Sequence, residues 1–195
     1  IAGTALLAVA SWLGVYVGIQ TTTVEEPAPA STLTVPWFGI ELPNPLAKDE
    51  VQQVPMRERV EAAWFVPAAF NLFSLGVFGA GLSTLLSACD RYRWRTIGIV
   101  VGFYIVEMTI KIVGRAADHL AWLGQWTFLT AYEPERFVSV AVKDPHLAWA
   151  VWMRDPQGLW ELGPLGYNFI LLGIGLAAFA GATVAFRVRD LPAPL

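Results

Sequence analysis

Four stretches of this chain are almost free of charge, and polar segments separate them. Ile1–Val24 contains no Asp, Glu, Lys or Arg, nor does Ala62–Cys89 over 28 residues or Leu162–Phe186 over 25. Thr96–Val113 is apolar except for Glu107 and Lys111. A hydrocarbon core about 30 Å thick is crossed by roughly 20 helical residues rising about 1.5 Å each. Backbone polar groups inside lipid must bond within the segment, which leaves the helix as the conformation for such runs. The pattern predicts an all-α fold, a polytopic transmembrane helix bundle read as a single transmembrane domain over 1–195. Its spans are placed at about 1–20, 62–89, 96–113 and 162–186.

Small residues recur at helical spacing inside these runs. Ala10, Gly14 and Gly18 share a face of the first, Gly76, Ala80 and Thr84 of the second, and Gly173, Ala177 and Gly181 of the last. Such faces let helices approach closely in lipid, although membrane helices are in any case rich in glycine. Pro67 falls in the first turns of the second span, where a missing N–H does little harm.

The connecting segments differ in material. Residues 21–61 include six prolines and seven acidic residues against Lys48, Arg57 and Arg59, and they read as an exposed loop with short extended pieces at Thr32–Val35 and Phe38–Leu42. Residues 114–161 hold five of the nine tryptophans, with charges too frequent for another span. Trp favours the membrane–water interface, so this segment is expected to form short interfacial helices, with Leu120–Leu129 and Leu147–Met153 the best candidates.

Composition agrees with this picture: 55% of residues are hydrophobic and 15% charged, with a mean hydropathy of +0.51. Soluble domains carry about a quarter charged residues. A net charge of −3 gives no nucleic-acid footprint. One cysteine, Cys89, excludes an internal disulfide and a cysteine metal cluster. Ile1 opens directly on an apolar run with no basic leader region or cleavage signal, so the chain is expected to be part of a longer protein or to have been trimmed. Lys and Arg near span ends gather on the cytoplasmic side. Arg91, Arg93 and Arg95 in the turn 90–95, and Arg187 and Arg189 in the tail 187–195, are two spans apart and therefore share a side. That side is expected to be the cytoplasm, with the loops 21–61 and 114–161 outside.

Glu107 and Lys111 are the only ionisable groups well inside a span. Charges there are costly and signal function by default. Their spacing of four, Glu first, suits an ion pair on one helix face, which Tyr104 and Arg115 extend. Two readings stand: a structural pair with Lys111 snorkelling outward, or the lining of a substrate path or moving interface. His119 and His146 are separated and give a weak metal signal, best read as solvated loop residues. Gly173, Gly175 and Ala178 fit a dinucleotide pattern on paper but lie within an apolar span. No P-loop, G-x-S-x-G or H-E-x-x-H sequence occurs, so no catalytic, cofactor-binding or metal residues are assigned.

The order of segments, with Leu82-Ser83-Thr84-Leu85-Leu86-Ser87 entering the basic turn, Thr130-Ala131-Tyr132-Glu133-Pro134, and the tail Phe186-Arg187-Val188-Arg189-Asp190-Leu191-Pro192-Ala193-Pro194-Leu195, resembles ABC-2-type permeases. These are the membrane subunits of ATP-binding-cassette transporters. The resemblance covers residues 62–195, with 1–20 fitting as the preceding span. It implies a pathway-forming subunit of the cell (inner) membrane, with export the expected direction. Two permease halves, identical or different, would pair, and a separate ATPase subunit would bind ATP and Mg. It also implies two further spans and an ATPase-docking loop upstream of Ile1. The alternative is a non-transporting membrane scaffold held by its Gly/Ala faces. An intramembrane enzyme would want more converging polar groups than one Glu–Lys pair.

Overall fold

The computed structural model describes residues 1–27, 32–35, 40–43, 51–90, 93–116, 118–120, 122–123, 127–154 and 158–188. Arg91 and Arg189 lie outside them, as does the segment 190–195. Four helices are long and apolar enough to cross a membrane, and the chain is a multi-pass membrane protein with an all-α helix bundle. Helix α1 spans Ala2–Thr21, α2 spans Val66–Cys89 after a 3-10 turn at Ala62–Phe65, and α3 spans Arg93–Ala116. A short helix, α4, covers Pro134–Lys143, and α5 covers Pro164–Val188. Pro67 sits in the first turn of α2 and Pro134 in that of α4, where the fixed φ suits a helix start.

The chain divides into two compact units, Ile1–Trp12 with Ala63–Leu195, and Leu13–Ala62. The second unit holds two antiparallel strand pairs, β1 (Thr23–Pro27) with β4 (Val51–Pro55), and β2 (Thr32–Val35) with β3 (Ile40–Pro43). Pro27 and Pro55 occupy strand ends, where a lost N–H is tolerated. An ion pair of Arg59 with Glu26 lies alongside.

In the first unit α2 and α5 pack side by side and parallel. Asn71 meets Asn168, Gly81 meets the carbonyl of Gly175, and Gly181 faces Leu85. The backbones approach so closely that a Cβ on Gly175 would lie 2.8 Å from the Val77 carbonyl oxygen and 2.9 Å from Phe78 Cα. The contact face is thus Gly81 against Gly175, continued by the buried Ala178 and Ala182. It coincides only in part with the stripes expected from spacing: Gly181 does face α2, but Gly76 meets Thr4 of α1, and a Cβ on Gly173 would meet nothing within 4 Å. Helix α1 runs antiparallel to α2, with Thr4 against Gly76 and Trp12 near Val66. Helix α3 returns antiparallel, and Arg95 reaches Asp90 across the turn at 3.5 Å. The turn after α2 and the end of α5 therefore share one end of this unit, while Thr4, level with Gly76, places the start of α1 near the middle of α2. Helix α3 begins at Arg93 and not at Thr96, so Arg95 belongs to its first turn and is not part of a connecting loop.

In the tryptophan-rich segment the described residues mix short helices, turns and a hairpin. Of the expected helix Leu120–Leu129, residues 121 and 124–126 lie outside the described residues, Trp122 and Leu123 are helical, Thr127 is extended and Phe128–Thr130 form a 3-10 turn. Leu147–Met153 divides into a 3-10 turn at Leu147–Trp149 and the start of a hairpin, β5 (Trp152–Arg154) with β6 (Trp160–Leu162). The Arg154 guanidinium covers the Trp160 ring at 4.8 Å. Backbone bonds from Gly163 to Val151 and from Leu165 to Ala150 tie this hairpin to the start of α5. The regular short helix is α4, with Phe137 and Ala141, four residues apart, buried on one face.

Candidate functional site

Phe128 locates the site. Its ring centroid lies 5.0 Å from that of Phe78 on α2, 5.5 Å from Phe103 on α3 in a stacked arrangement, and 6.4 Å from Tyr104. Phe78 is about 18 Å along α2 from its start, counting about 1.5 Å per residue. The Phe128 ring therefore reaches back between α2 and α3 to about the middle of both, while the backbone of the turn lies nearer the end where α2 starts, since Ala131 bonds to Asn71 about 8 Å along α2. Irregular backbone at such depth is tolerated only where protein or a wet cavity satisfies its polar groups. Here side chains of the spans do so.

Glu107 accepts a hydrogen bond from the Phe128 N–H at 3.2 Å. Lys111 donates to the Leu129 carbonyl and lies 3.3 Å from Glu133. Asn71 donates to the Ala131 carbonyl at 2.9 Å and to Asn168 Oδ1 at 2.8 Å. The N–H groups of Thr130, Ala131 and Tyr132 bond back to Thr127, Phe128 and Leu129. Each buried backbone group left unpaired would cost about 1–3 kcal/mol. The polar residues of the spans are thus clamps on the dipping turn.

Glu107 and Lys111 are not each other's partners, although their spacing allows it: each reaches a separate group of the turn. Nor does Lys111 snorkel freely, since its side chain is 15% exposed and held by Leu129 and Glu133. Glu133 precedes α4 but does not cap it; its Oε1 faces Lys111 at 3.3 Å and Arg115 at 3.5 Å. Arg115 is 72% exposed and Tyr104 is also exposed, placing both at the margin. Arg95 and Arg187 lie at the opposite end of the unit from Glu133. The side chain of Arg93 lies outside what is described.

Spacing within one helix does not reveal Asn71, Asn168, Glu133, Arg136 or Glu161, whose partners are distant in sequence. Asn71 and Asn168 are buried inside apolar spans, and Asn71 Oδ1 has no hydrogen-bond partner among the described residues. Arg136 pairs with Glu161 at 2.6 Å and lies over the Tyr167 ring at 5.7 Å. Burial works against the Arg136 charge, but the hydrogen bond and attraction from Glu161, with Tyr167, outweigh it and hold the guanidinium above its ordinary pKa.

Two concavities flank this arrangement. An apolar one of about 520 Å³ lies between α1 and α2, lined by Ala5, Trp12, Phe70, Phe73 and Trp149 among others. A polar one of about 310 Å³ is lined by Lys111, Arg115, Tyr132, Glu133, Glu135 and Arg136. Among the described residues no three His, Cys, Asp or Glu side chains converge as metal ligands; His146 uses its backbone N–H toward Asp144 at 2.9 Å. Comparison with protein-family models, curated proteins and solved structures finds no match to this chain.

Proposed function

We propose that the chain is the permease portion of an ATP-driven transporter of the ABC-2 type. It would form part of the transmembrane pathway, pair with a second permease half, and work with a separate ATPase that binds ATP and Mg. The observation that carries this reading is the turn at Phe128–Thr130, held inside the helix bundle by ionisable side chains of a span. Placing charge inside a span is costly, and a passive anchor has no need of it. A segment that closes one end of a helix bundle from within does. The segment resemblance supplies the transporter class, and the direction is outward, across a cell (inner) membrane with the C-terminus in the cytoplasm.

A structural scaffold is the second reading, favoured by the fact that both Glu107 and Lys111 are engaged in holding the turn. The experiment that separates them uses Glu107→Gln and Lys111→Met in membranes containing the partner subunits. The transport reading expects at least one variant to lose transport or coupled ATP hydrolysis while the assembly purifies intact. Loss of stability alone, with transport per assembled complex unchanged, supports the scaffold. Purification of the complex without any P-loop ATPase, under all conditions tried, also counts against transport.

A further inference from the structure

The polar concavity beside α4 has a charge arrangement that its own pairing leaves incomplete. Lys111 and Arg115 share one oxygen of Glu133, at 3.3 and 3.5 Å. Arg136 is matched separately by Glu161. One cationic charge on the α3 side is therefore unbalanced, and it resides mainly on the exposed Arg115. Glu135, also exposed, lines the same concavity and makes no ion pair among the described residues. Counted with Glu161, which pairs with Arg136 from outside the lining, the charges sum to zero, and the pocket separates an exposed cation, Arg115, from an exposed anion, Glu135.

Its position adds the second half of the argument. Arg115 stands in the last turn of α3, and Ile112 and Met108 lie one and two turns toward the bundle centre on the same face. Both are exposed apolar side chains on a helix that crosses the membrane. A polar pocket of both signs thus opens directly onto a hydrocarbon-facing wall. Trp122, Trp149, Trp152 and Trp160 are exposed in the segment that follows α3, and such residues mark headgroup level.

We propose that this pocket binds the zwitterionic headgroup of a bilayer phospholipid. The phosphodiester would sit against Arg115, the ammonium against Glu135, and an acyl chain along Ile112 and Met108. Arg is suited to the phosphate because its planar fork offers two parallel donors. The site does not rest on the transport reading, since a scaffold would hold such a lipid equally well.

The test is native mass spectrometry of the full chain in detergent, with phosphatidylethanolamine or phosphatidylglycerol added back. The wild type is expected to favour phosphatidylethanolamine. Arg115→Ala should lower retention of both lipids about tenfold, the scale of one charged hydrogen bond. Arg187→Ala, an exposed arginine at the other end, should change neither. Glu135→Gln should reverse the preference toward phosphatidylglycerol by several-fold, because it removes the ammonium site and leaves the cations. Inorganic phosphate in large excess should leave the lipid bound. The assignment is overturned by full retention in Arg115→Ala, by equal loss in Arg187→Ala, by an unaltered lipid preference in Glu135→Gln, or by displacement with inorganic phosphate.

Discussion

Lys111 has two partners of different kinds, a backbone carbonyl and a carboxylate, and its replacement removes both at once. Lys111→Met is expected to destabilise the purified protein by about 1–3 kcal/mol, read from thermal or denaturant unfolding in detergent. Glu107 differs, because the Phe128 N–H needs only an acceptor. Glu107→Gln keeps one and should cost less than Glu107→Leu, which leaves the N–H unpaired. Equal losses in the two variants would sink the idea that Glu107 acts as an acceptor for the turn. Asn71→Leu strands the Ala131 carbonyl and Asn168. Adding Asn168→Leu should recover part of the loss, with a coupling of about 0.6 kcal/mol, the average for side-chain hydrogen bonds between membrane helices. At this scale the sequence singled out Glu107 and Lys111 as candidates but did not reveal whom they meet. The Lys111 and Glu107 partners lie 18 and 21 residues away, beyond any helical periodicity. Nothing in the composition of Thr127–Thr130 marks a turn that enters a bundle.

Among elements, the parallel crossing of α2 and α5 depends on glycine where two backbones meet. Gly175→Ala places a Cβ 2.8 Å from a backbone oxygen that has little room to retreat. A loss of about 1–3 kcal/mol is expected, as for other overpacked contacts. Gly173→Ala, two residues earlier and open to its surroundings, should stay within about 0.5 kcal/mol of the wild type. Unfolding curves for the two variants decide whether the contact face is the one described. The stripes at Gly76, Ala80 and Thr84 and at Gly173, Ala177 and Gly181 were legible as small-residue faces, but glycine is frequent on several sides of both helices. Which side binds is a tertiary choice. Similarly, β1 with β4 escaped detection because prolines close both strands, and α4 because only Phe137 and Ala141 mark its buried face.

For the molecule as a whole, the long uncharged runs were enough to locate four spans, since the bilayer imposes its requirement on each stretch of about 20 residues separately. The antiparallel order of α1, α2 and α3, with α5 parallel to α2, agrees with the arrangement that the basic residues demand. Sidedness is open to a direct measurement. Cys89 is the only cysteine and is exposed at the end where Arg95 and Arg187 lie. A membrane-impermeant maleimide is expected to label it in inside-out vesicles and to spare it in right-side-out ones. Labelling from the outer face alone would invert the proposed topology.

The clamp on the turn also bears on how the chain is made. During synthesis α3 reaches the membrane before Phe128, Leu129 and Glu133 have emerged to receive its charges. At about 5–20 residues per second the partners follow on the order of 1–4 s later. Alone, α3 sets ten Ile, Val and Phe residues in Thr96–Val113, contributing about −3 to −6 kcal/mol, against two charges costing at most about 5–7. Its insertion is then close to balanced until the following segment arrives. Chains ending shortly after Ala116 should, once released from the ribosome, leave α3 partly outside the bilayer, as glycosylation mapping of the released truncations would reveal. Extending them through Pro134 should draw it in.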